Sequence, residues 1–183
     1  MKIADPFALF GLPPRFDLDQ VDLEHRYREL SREHHPDRHA RDSGGGRLAA
    51  VQKTADINAA YKLLRDDFTR AENLLSRVGI ETSEHAQQDH RQTVDASLLI
   101  EIMALREALD EARQSKDHAT VDKLASDVNA RVEKAWMRMK SVFGEHGQTA
   151  TAEQLRPLAN DLTSLRYYRR VLEEVSNILD EEA

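Results

Sequence analysis

Two apolar stripes of helical period, one on each side of Pro36, constrain the fold of this chain more than any other feature. On the first stripe, Leu23, Tyr27, Leu30 and His34 recur at offsets of 4, 7 and 11 residues, which places them on one face of a helix. Pro36 ends that helix, because its ring clashes with the preceding turn and its nitrogen carries no hydrogen to donate.

The same spacing returns after a Gly44–Gly46 break, which we interpret as a flexible loop. The second stripe consists of Ile57, Tyr61, Leu64 and Phe68. The two stripes predict an antiparallel helical hairpin with His35-Pro36-Asp37 at its tip. His35 can donate and accept hydrogen bonds, Asp37 offers a carboxylate, and Pro36 fixes the backbone between them, which favours recognition at an interface over catalysis.

A short helix is predicted in front of the hairpin and another behind it. Asp5 can cap the first of these helices, Pro6 suits its first turn, and Gly11 permits a left-handed stop. The last helix of this region is expected from Arg70 through Leu75, closed by Gly79.

The second half of the chain shows three further apolar stripes, and their short connections predict an antiparallel three-helix bundle. The stripes are Leu98, Ile102, Leu105 and Leu109; Val121, Leu124, Val128, Ala135 and Met139; and Leu158, Leu162, Leu165, Leu172 and Leu179. Thr151 and Gln154 are expected to cap the last helix. Pro157 leaves its start open: either the first turn is separate or the helix begins at Pro157.

Composition agrees with an all-α fold and excludes several functions. Charged residues make up 32% of the 183 residues, and no segment approaches the run of about 18 apolar residues that spans a bilayer. The net charge of −7 argues against nucleic-acid binding, which depends on neutralising phosphates. We therefore predict a cytoplasmic protein with no membrane and no nucleic acid among its partners.

The chain contains no cysteine, which removes disulfides and thiolate-bound metals or clusters. His34, His35 and His39 suggest a metal site, but the first two are neighbours that diverge, and Pro36 prevents a regular helix from joining His35 to His39. We predict no metal and no cofactor. A metal hydrolase that uses these histidines with Asp37 is kept as an alternative.

The surfaces of two helices allow more than one interpretation. His25, Arg28 and Arg32 share a side of the hairpin's first helix that leads towards Arg38, and by spacing alone this is a solvated face where Arg and Glu pair. In the first bundle helix, extra apolar residues run into two acids: Leu99, Ile100, Met103, Glu107 and Glu111. These residues either form an exposed patch or widen the buried stripe.

The layout of the first half resembles a J-domain, and four of its segments resemble the HscB-type co-chaperones of iron-sulfur cluster assembly, in their bacterial form. These segments are Phe7–Pro13, His34–Asp37, Leu48–Gln52 with Ile57–Tyr61, and Arg70–Leu75. A fifth segment, Leu99–Leu109, lies outside the J-domain and resembles this subfamily alone. The resemblance implies a J-domain at 1–76, a linker at 77–92 and a scaffold-binding three-helix bundle at 93–183.

The resemblance also implies two partners and a function. An HscA-type heat-shock ATPase would bind the hairpin, and the expected contacts are His35, Pro36, Asp37, Arg28, Arg32 and Arg38. The cluster scaffold IscU would bind the bundle, and the expected contacts are Leu99, Ile100, Met103, Glu107, Glu111 and Tyr167. The chain would deliver the scaffold and stimulate the chaperone's ATP hydrolysis, without being an enzyme itself. Ala104 departs from relatives that carry an acid there.

A general folding co-chaperone with another client is the main alternative. The chain lacks the Gly/Phe-rich segment and the zinc-binding cysteines that are typical of such proteins. The oligomeric state does not follow from the sequence pattern.

Overall fold

The computed structural model describes residues 5–39, 44–82, 94–146 and 150–180, and every regular element in these ranges is helical, as the sequence predicts. The chain divides into two compact units. Met1–Leu74 is the main segment of the first unit, whereas Leu75–Glu145 and Ala150–Ala183 make up the second. No helix in the described ranges is long and apolar enough to cross a membrane.

The first unit opens with α1 (Pro6–Leu9) and α2 (Gln20–Glu33), and both begin at an aspartate cap. The Phe7 amide donates to Asp5 Oδ1 at 3.1 Å and the Val21 amide to Asp19 Oδ1 at 2.8 Å, which satisfies free amides of each first turn. Gly11 has φ +61°, so the left-handed stop predicted after α1 is present.

A 3₁₀ turn at Pro36–His39 follows α2, then come α3 (Gly44–Arg65) and α4 (Asp67–Arg77), and the first unit ends within α4 at Leu74. Two expectations need correction. The backbone of Gly44–Gly46 is the first turn of α3 rather than a loop. Phe68 lies in α4 rather than on α3, because the chain bends at Asp66 and a new helix starts there.

The hairpin of α2 and α3 is held by apolar packing and by a pair of tyrosines. Leu23, Ile57 and Leu64 are fully buried. The ring of Tyr27 stacks on that of Tyr61 with centroids 4.0 Å apart, and the Tyr27 hydroxyl donates to Asn58 Oδ1 at 2.9 Å. These contacts fix which sides of the two helices face each other.

A buried arginine ties α4 to the loop before α2. Arg70 is only 3% exposed, and its guanidinium donates to the Phe16 carbonyl at 2.8 Å, to the Leu64 carbonyl at 2.6 Å and to the Asp67 carboxylate. Its Cζ also lies 4.9 Å from the centroid of the Phe16 ring. Sequence reasoning did not predict this burial.

The second unit contains α5 (Ala96–Ser115), α6 (His118–His146) and α7 (Ala152–Asp180), which form the expected bundle. Its core contains Leu98, Ile102, Leu105, Val128, Tyr168 and Val171, with a second cluster of Leu109, Ala112, Val121, Val175 and Ile178. The predicted cap of α7 is present, since the Thr151 amide donates to Gln154 Oε1 at 2.9 Å and the Gln154 amide to Thr151 Oγ1 at 3.4 Å.

Two details of α7 differ from the prediction. The helix begins at Ala152, directly after the predicted Thr151 cap, and continues through Pro157, so neither a separate first turn nor a start at Pro157 is present. The predicted stripe is correct as far as Leu165, but Leu172 is half-buried and Leu179 is 37% exposed. The buried face continues instead through Val171, Val175 and Ile178.

Candidate functional site

The His-Pro-Asp tripeptide lies in the turn directly after α2. His34 caps the end of α2 and its carbonyl accepts a hydrogen bond from Thr54 Oγ1 of α3 at 2.9 Å. Pro36 then starts the 3₁₀ turn, since proline fits a first helical position and cannot continue α2. The tripeptide is therefore attached to both helices of the hairpin.

The two polar side chains of the tripeptide are exposed and contact each other. The Asp37 amide donates to His35 Nδ1 at 3.2 Å, and the Asp37 carboxylate lies 3.6 Å from the same nitrogen. The side chains are 56% and 91% exposed. An imidazole and a carboxylate held at a rigid turn can each bind a partner surface. Among the described residues, no three His, Cys, Asp or Glu side chains are placed to hold a metal ion.

The predicted basic residues of α2 lie on its solvent side. His25, Arg28 and Arg32 are all exposed. Arg28 Nη2 pairs with Glu24 Oε1 at 2.6 Å, and His25 Nδ1 lies 3.6 Å from Glu29 Oε2. Exposed pairs of this kind contribute roughly 0–1 kcal/mol, so a binding partner can replace Glu24 at little cost. The side chain of Arg38 lies outside the described residues.

The apolar patch predicted on α5 is exposed to solvent. Leu99 is 39% exposed, Ile100 68% and Met103 70%, whereas Leu98 and Ile102 of the same helix are buried. The alternative that these residues widen the buried stripe is therefore wrong for Ile100 and Met103. We call Leu99, Ile100 and Met103 the α5 patch.

Two glutamates extend the α5 patch along the helix. Glu107 and Glu111, like Ala104, are exposed, and their spacing of four residues from Met103 places them on its side of the helix. Three large apolar side chains followed by carboxylates suit a partner that combines an apolar recess with basic groups. Tyr167 of α7 is half-buried and packs against the core cluster that contains Leu98, so only part of its ring is accessible.

A partly buried polar contact holds the second turn of α5 against the other helices of the bundle. Tyr168 donates its hydroxyl hydrogen to Glu101 Oε1 at 3.1 Å, and Arg131 Nε pairs with the same oxygen at 2.7 Å. Burial, reinforced by the Glu101 carboxylate, raises the pKa of Tyr168 to about 12. The three helices therefore meet at one oxygen, next to the residues of the α5 patch.

Sequence reasoning missed an apolar pair on the hairpin. Leu48 and Val51 of α3 are 71% and 47% exposed. A signal was available, because these two residues lie off the stripe of Ile57, Tyr61 and Leu64 and therefore had no predicted place in the core.

Comparison with known proteins agrees with this architecture in both halves of the chain. Residues 5–72 match the family model described as the DnaJ domain, and residues 94–176 match the one described as the HSCB C-terminal oligomerisation domain. The hairpin that presents His-Pro-Asp and the bundle that follows it therefore place the chain in the class of J-domain co-chaperones.

Relatives that align over nearly the whole chain identify the family within this class. The chain is 33% identical to co-chaperone protein HscB of Proteus mirabilis, with 95% of each chain covered, and 34% identical to a co-chaperone protein HscB homolog of Shewanella oneidensis, covering 95% of this chain and 96% of the relative. The chain belongs to the HscB family of co-chaperones.

Two solved structures share the fold over nearly the whole chain. Chaperone HscB from Vibrio cholerae superposes with a TM-score of 0.79 at 31% identity, covering 98% of this chain and all of that one. Human co-chaperone protein HscB gives a TM-score of 0.78 at 28% identity, covering 96% of this chain and 82% of that one.

Proposed function

We propose that this chain is an adaptor between an IscU-type iron-sulfur scaffold and an HscA-type heat-shock ATPase. The bundle binds the scaffold through the α5 patch, and the J-domain hairpin binds the chaperone and stimulates its ATP hydrolysis. The result is assisted maturation and transfer of iron-sulfur clusters in the cytoplasm. The proposed limits are 1–76 for the J-domain, 77–92 for the linker and 93–183 for the bundle; residues 83–92 of this linker lie outside the described residues.

The observation that carries the proposal is the exposure of the α5 patch. Ile100 and Met103 are 68% and 70% exposed on a helix that already buries five other residues, so they are not needed for the core of the bundle. Large exposed apolar side chains on one helix face are typical of an interaction surface. Leu99, Glu107, Glu111 and part of Tyr167 extend this surface.

The hairpin supports the second half of the proposal. His35 and Asp37 are exposed at a turn that Pro36 and the Thr54–His34 hydrogen bond hold in place. Arg28 and Arg32 lie on the exposed side of α2, and Arg38 follows in the chain, so an acidic surface on the ATPase would match them. Because one chain carries both surfaces, it raises the effective concentration of scaffold at the chaperone.

The absence of cysteine agrees with a role in which this chain binds the scaffold and the chaperone but not the cluster. A chain without thiolates cannot hold a cluster by cysteine sulfur, and the cluster would remain on the scaffold throughout. The co-chaperone then acts on protein surfaces alone.

The test is steady-state ATP hydrolysis by the HscA-type chaperone, with this chain and the scaffold added separately and together. We expect synergistic stimulation. His35→Gln should abolish it while scaffold binding is unchanged. Alanine at Leu99, Ile100 and Met103 should weaken scaffold binding by on the order of a hundredfold, the effect of losing a central apolar contact set, while stimulation without scaffold is retained.

Met137→Ala is the matched control for the bundle, because Met137 is also an exposed methionine, at 65%, but lies on α6. It should leave scaffold binding unchanged. Stimulation of ATP hydrolysis that does not depend on the scaffold would indicate a general folding co-chaperone with another client. No stimulation at all would refute the chaperone half of the proposal.

A further inference from the structure

The exposed apolar pair on α3 has no role in the core of the first unit. The buried residues of this helix are Ala50 at 5% exposure and Ile57, Ala60 and Leu64 at 0%. Leu48 and Val51, at 71% and 47%, lie three residues apart and therefore next to each other on another side of the helix. A single exposed apolar residue is ordinary, but an adjacent pair forms a small patch.

This pair faces the same side of the hairpin as the basic residues of α2. On α3, the side next to α2 is marked by Asn58 and Tyr61, which contact Tyr27. Val51 precedes Asn58 by seven residues, or about two turns, and so lies on the same side; Leu48 is turned further from the core.

The corresponding argument applies to α2. Around that helix from the buried Leu23, past Tyr27, the next exposed positions are Glu24, Arg28 and Arg32, and Glu24 pairs with Arg28 at 2.6 Å. In an antiparallel pair, positions that lie beyond the contact line and away from the core share one outer surface. We call Arg28, Arg32, Leu48 and Val51 the outer hairpin face.

The outer hairpin face continues to the His-Pro-Asp turn. The 3₁₀ turn contacts α3, and Thr54, three residues after Val51, donates to the His34 carbonyl. From Gly44 to Ala55 the charged residues are Arg47 and Lys53, and none is acidic. The face thus has a basic half on α2 and an apolar half on α3, and the tripeptide turn joins them.

We propose that Leu48 and Val51 are the apolar part of the surface that docks the ATPase chaperone. This inference rests on the proposed function and specifies its partner: a surface with carboxylates opposite Arg28 and Arg32 and, beside them, an apolar recess for two side chains. A second copy of this chain fits less well, because symmetric packing of this face on itself would oppose the arginines either to arginines or to the apolar pair, and neither supplies the carboxylates that would pair with them.

The test is the double variant Leu48→Gln/Val51→Gln in the ATPase assay, titrated against the chaperone without scaffold. Glutamine is polar and a good helix former, so α3 is kept. The concentration for half-maximal stimulation should rise about tenfold, the order expected for losing two apolar contacts at an interface. Maximal stimulation should be retained, because the tripeptide is intact.

The dependence on ionic strength distinguishes the contribution of the apolar half of the face from that of the basic half. Raising ionic strength should shrink the defect of an Arg28→Gln/Arg32→Gln variant, since exposed charges are screened, but should leave the Leu48/Val51 defect unchanged. Met137→Gln, an equally exposed apolar loss on α6, is the matched control and should behave like the unmodified chain. The milder Leu48→Ala should give a smaller rise, and far-UV circular dichroism checks that each variant is folded.

Each other outcome overturns the inference. If the unmodified chain stimulates and the double variant has the same half-maximal concentration, the inference fails while the proposed function stands. If the variant loses scaffold binding, or if an oligomer of the unmodified chain becomes a monomer, the face binds the scaffold or a second copy instead. If the unmodified chain does not stimulate, the proposed function fails and the inference fails with it.

Discussion

Arg70 shows how one buried residue can tie three segments of the first unit together. Within the described ranges it is the only charged residue that is buried, and its planar guanidinium reaches acceptors on three segments: the loop before α2, the end of α3 and the start of α4. Arginine suits this position because its fork of donors points in several fixed directions.

Replacing Arg70 by lysine should destabilise the first unit by about 3 kcal/mol. The ammonium keeps the charge but cannot satisfy all of these acceptors, and an incompletely paired buried charge is costly. Native-state hydrogen exchange of peptides from α3 and α4 measures the loss. Peptides from α5 to α7 in the same sample should show unchanged protection.

Arg28→Lys is the matched control for this change. Arg28 is also paired with one carboxylate in its own helix, but its side chain is 68% exposed, so the substitution should change stability by less than about 0.5 kcal/mol. Equal losses in the two variants would mean that burial does not determine the effect.

The burial of Arg70 could not be predicted from the sequence in the same way as the caps. Asp5 and Gly11 act on their immediate neighbours, so local spacing was sufficient. Arg70 depends on Phe16, 54 residues away. A hint was present, because Arg70 precedes Leu74 by four residues and so occupies an apolar position, but an arginine there is usually assumed to reach solvent.

At the scale of elements, the sequence predicted the wrong buried residues in the C-terminal half of α7. The predicted stripe steps by seven residues from Leu165 to Leu172 and Leu179, but an α-helix drifts by about 20° in every seven residues. Over two such steps the drift is only about 40°, whereas the buried Val175 and Ile178 lie about 80° and about 140° round from Leu165 in the same direction. The buried face therefore turns along α7 faster than the predicted stripe does. Apolar spacing therefore located the helix, and only packing showed its buried face.

The contact between Tyr168 and Glu101 should make the bundle sensitive to alkaline pH. The pKa of Tyr168 is raised to about 12 in the folded chain, mainly by burial, from the ordinary tyrosine value of 10.0. The unfolded chain therefore releases this proton first, and the free energy of unfolding falls as pH rises above about 10. The fluorescence of Trp136, the single tryptophan, reports unfolding of the bundle in urea at each pH.

Tyr168→Phe isolates this effect from other alkaline titrations. At pH 8 the variant should be less stable by about 1 kcal/mol, the usual value of one lost hydrogen bond. Above pH 10 that difference should shrink, because the variant has no hydroxyl to ionise. Glu101→Gln removes the charge but not the burial, so most of the alkaline sensitivity should remain; a complete loss would mean that the Glu101 carboxylate dominates.

At the scale of the whole molecule, the two proposed interaction surfaces belong to different compact units. The tripeptide is in the first unit and the α5 patch in the second. The sequence predicted both segments as candidate surfaces because each is contiguous, whereas the placement of Leu48 and Val51 beside α2 depends on tertiary packing. For the same reason, the exposure of Ile100 and Met103 could be decided only once the core of the bundle was known.

Because the two proposed surfaces are separate, we expect a variant with one damaged surface to inhibit the unmodified co-chaperone. Excess His35→Gln protein should still bind the scaffold and hold it away from the intact co-chaperone. Adding a tenfold excess to the complete assay should therefore reduce the scaffold-dependent part of ATP hydrolysis by roughly the same factor. Because this variant keeps the outer hairpin face, it should also compete for the chaperone and lower the stimulation measured without scaffold.

The control for this inhibition combines both defects in one chain. His35→Gln together with alanine at Leu99, Ile100 and Met103 no longer binds the scaffold but keeps the outer hairpin face. The same excess should therefore inhibit less, and only by competing for the chaperone. Equal inhibition by the two proteins would mean that holding the scaffold away contributes nothing, whereas no inhibition by the combined variant would mean that the outer hairpin face, with Leu48 and Val51, does not dock without the tripeptide.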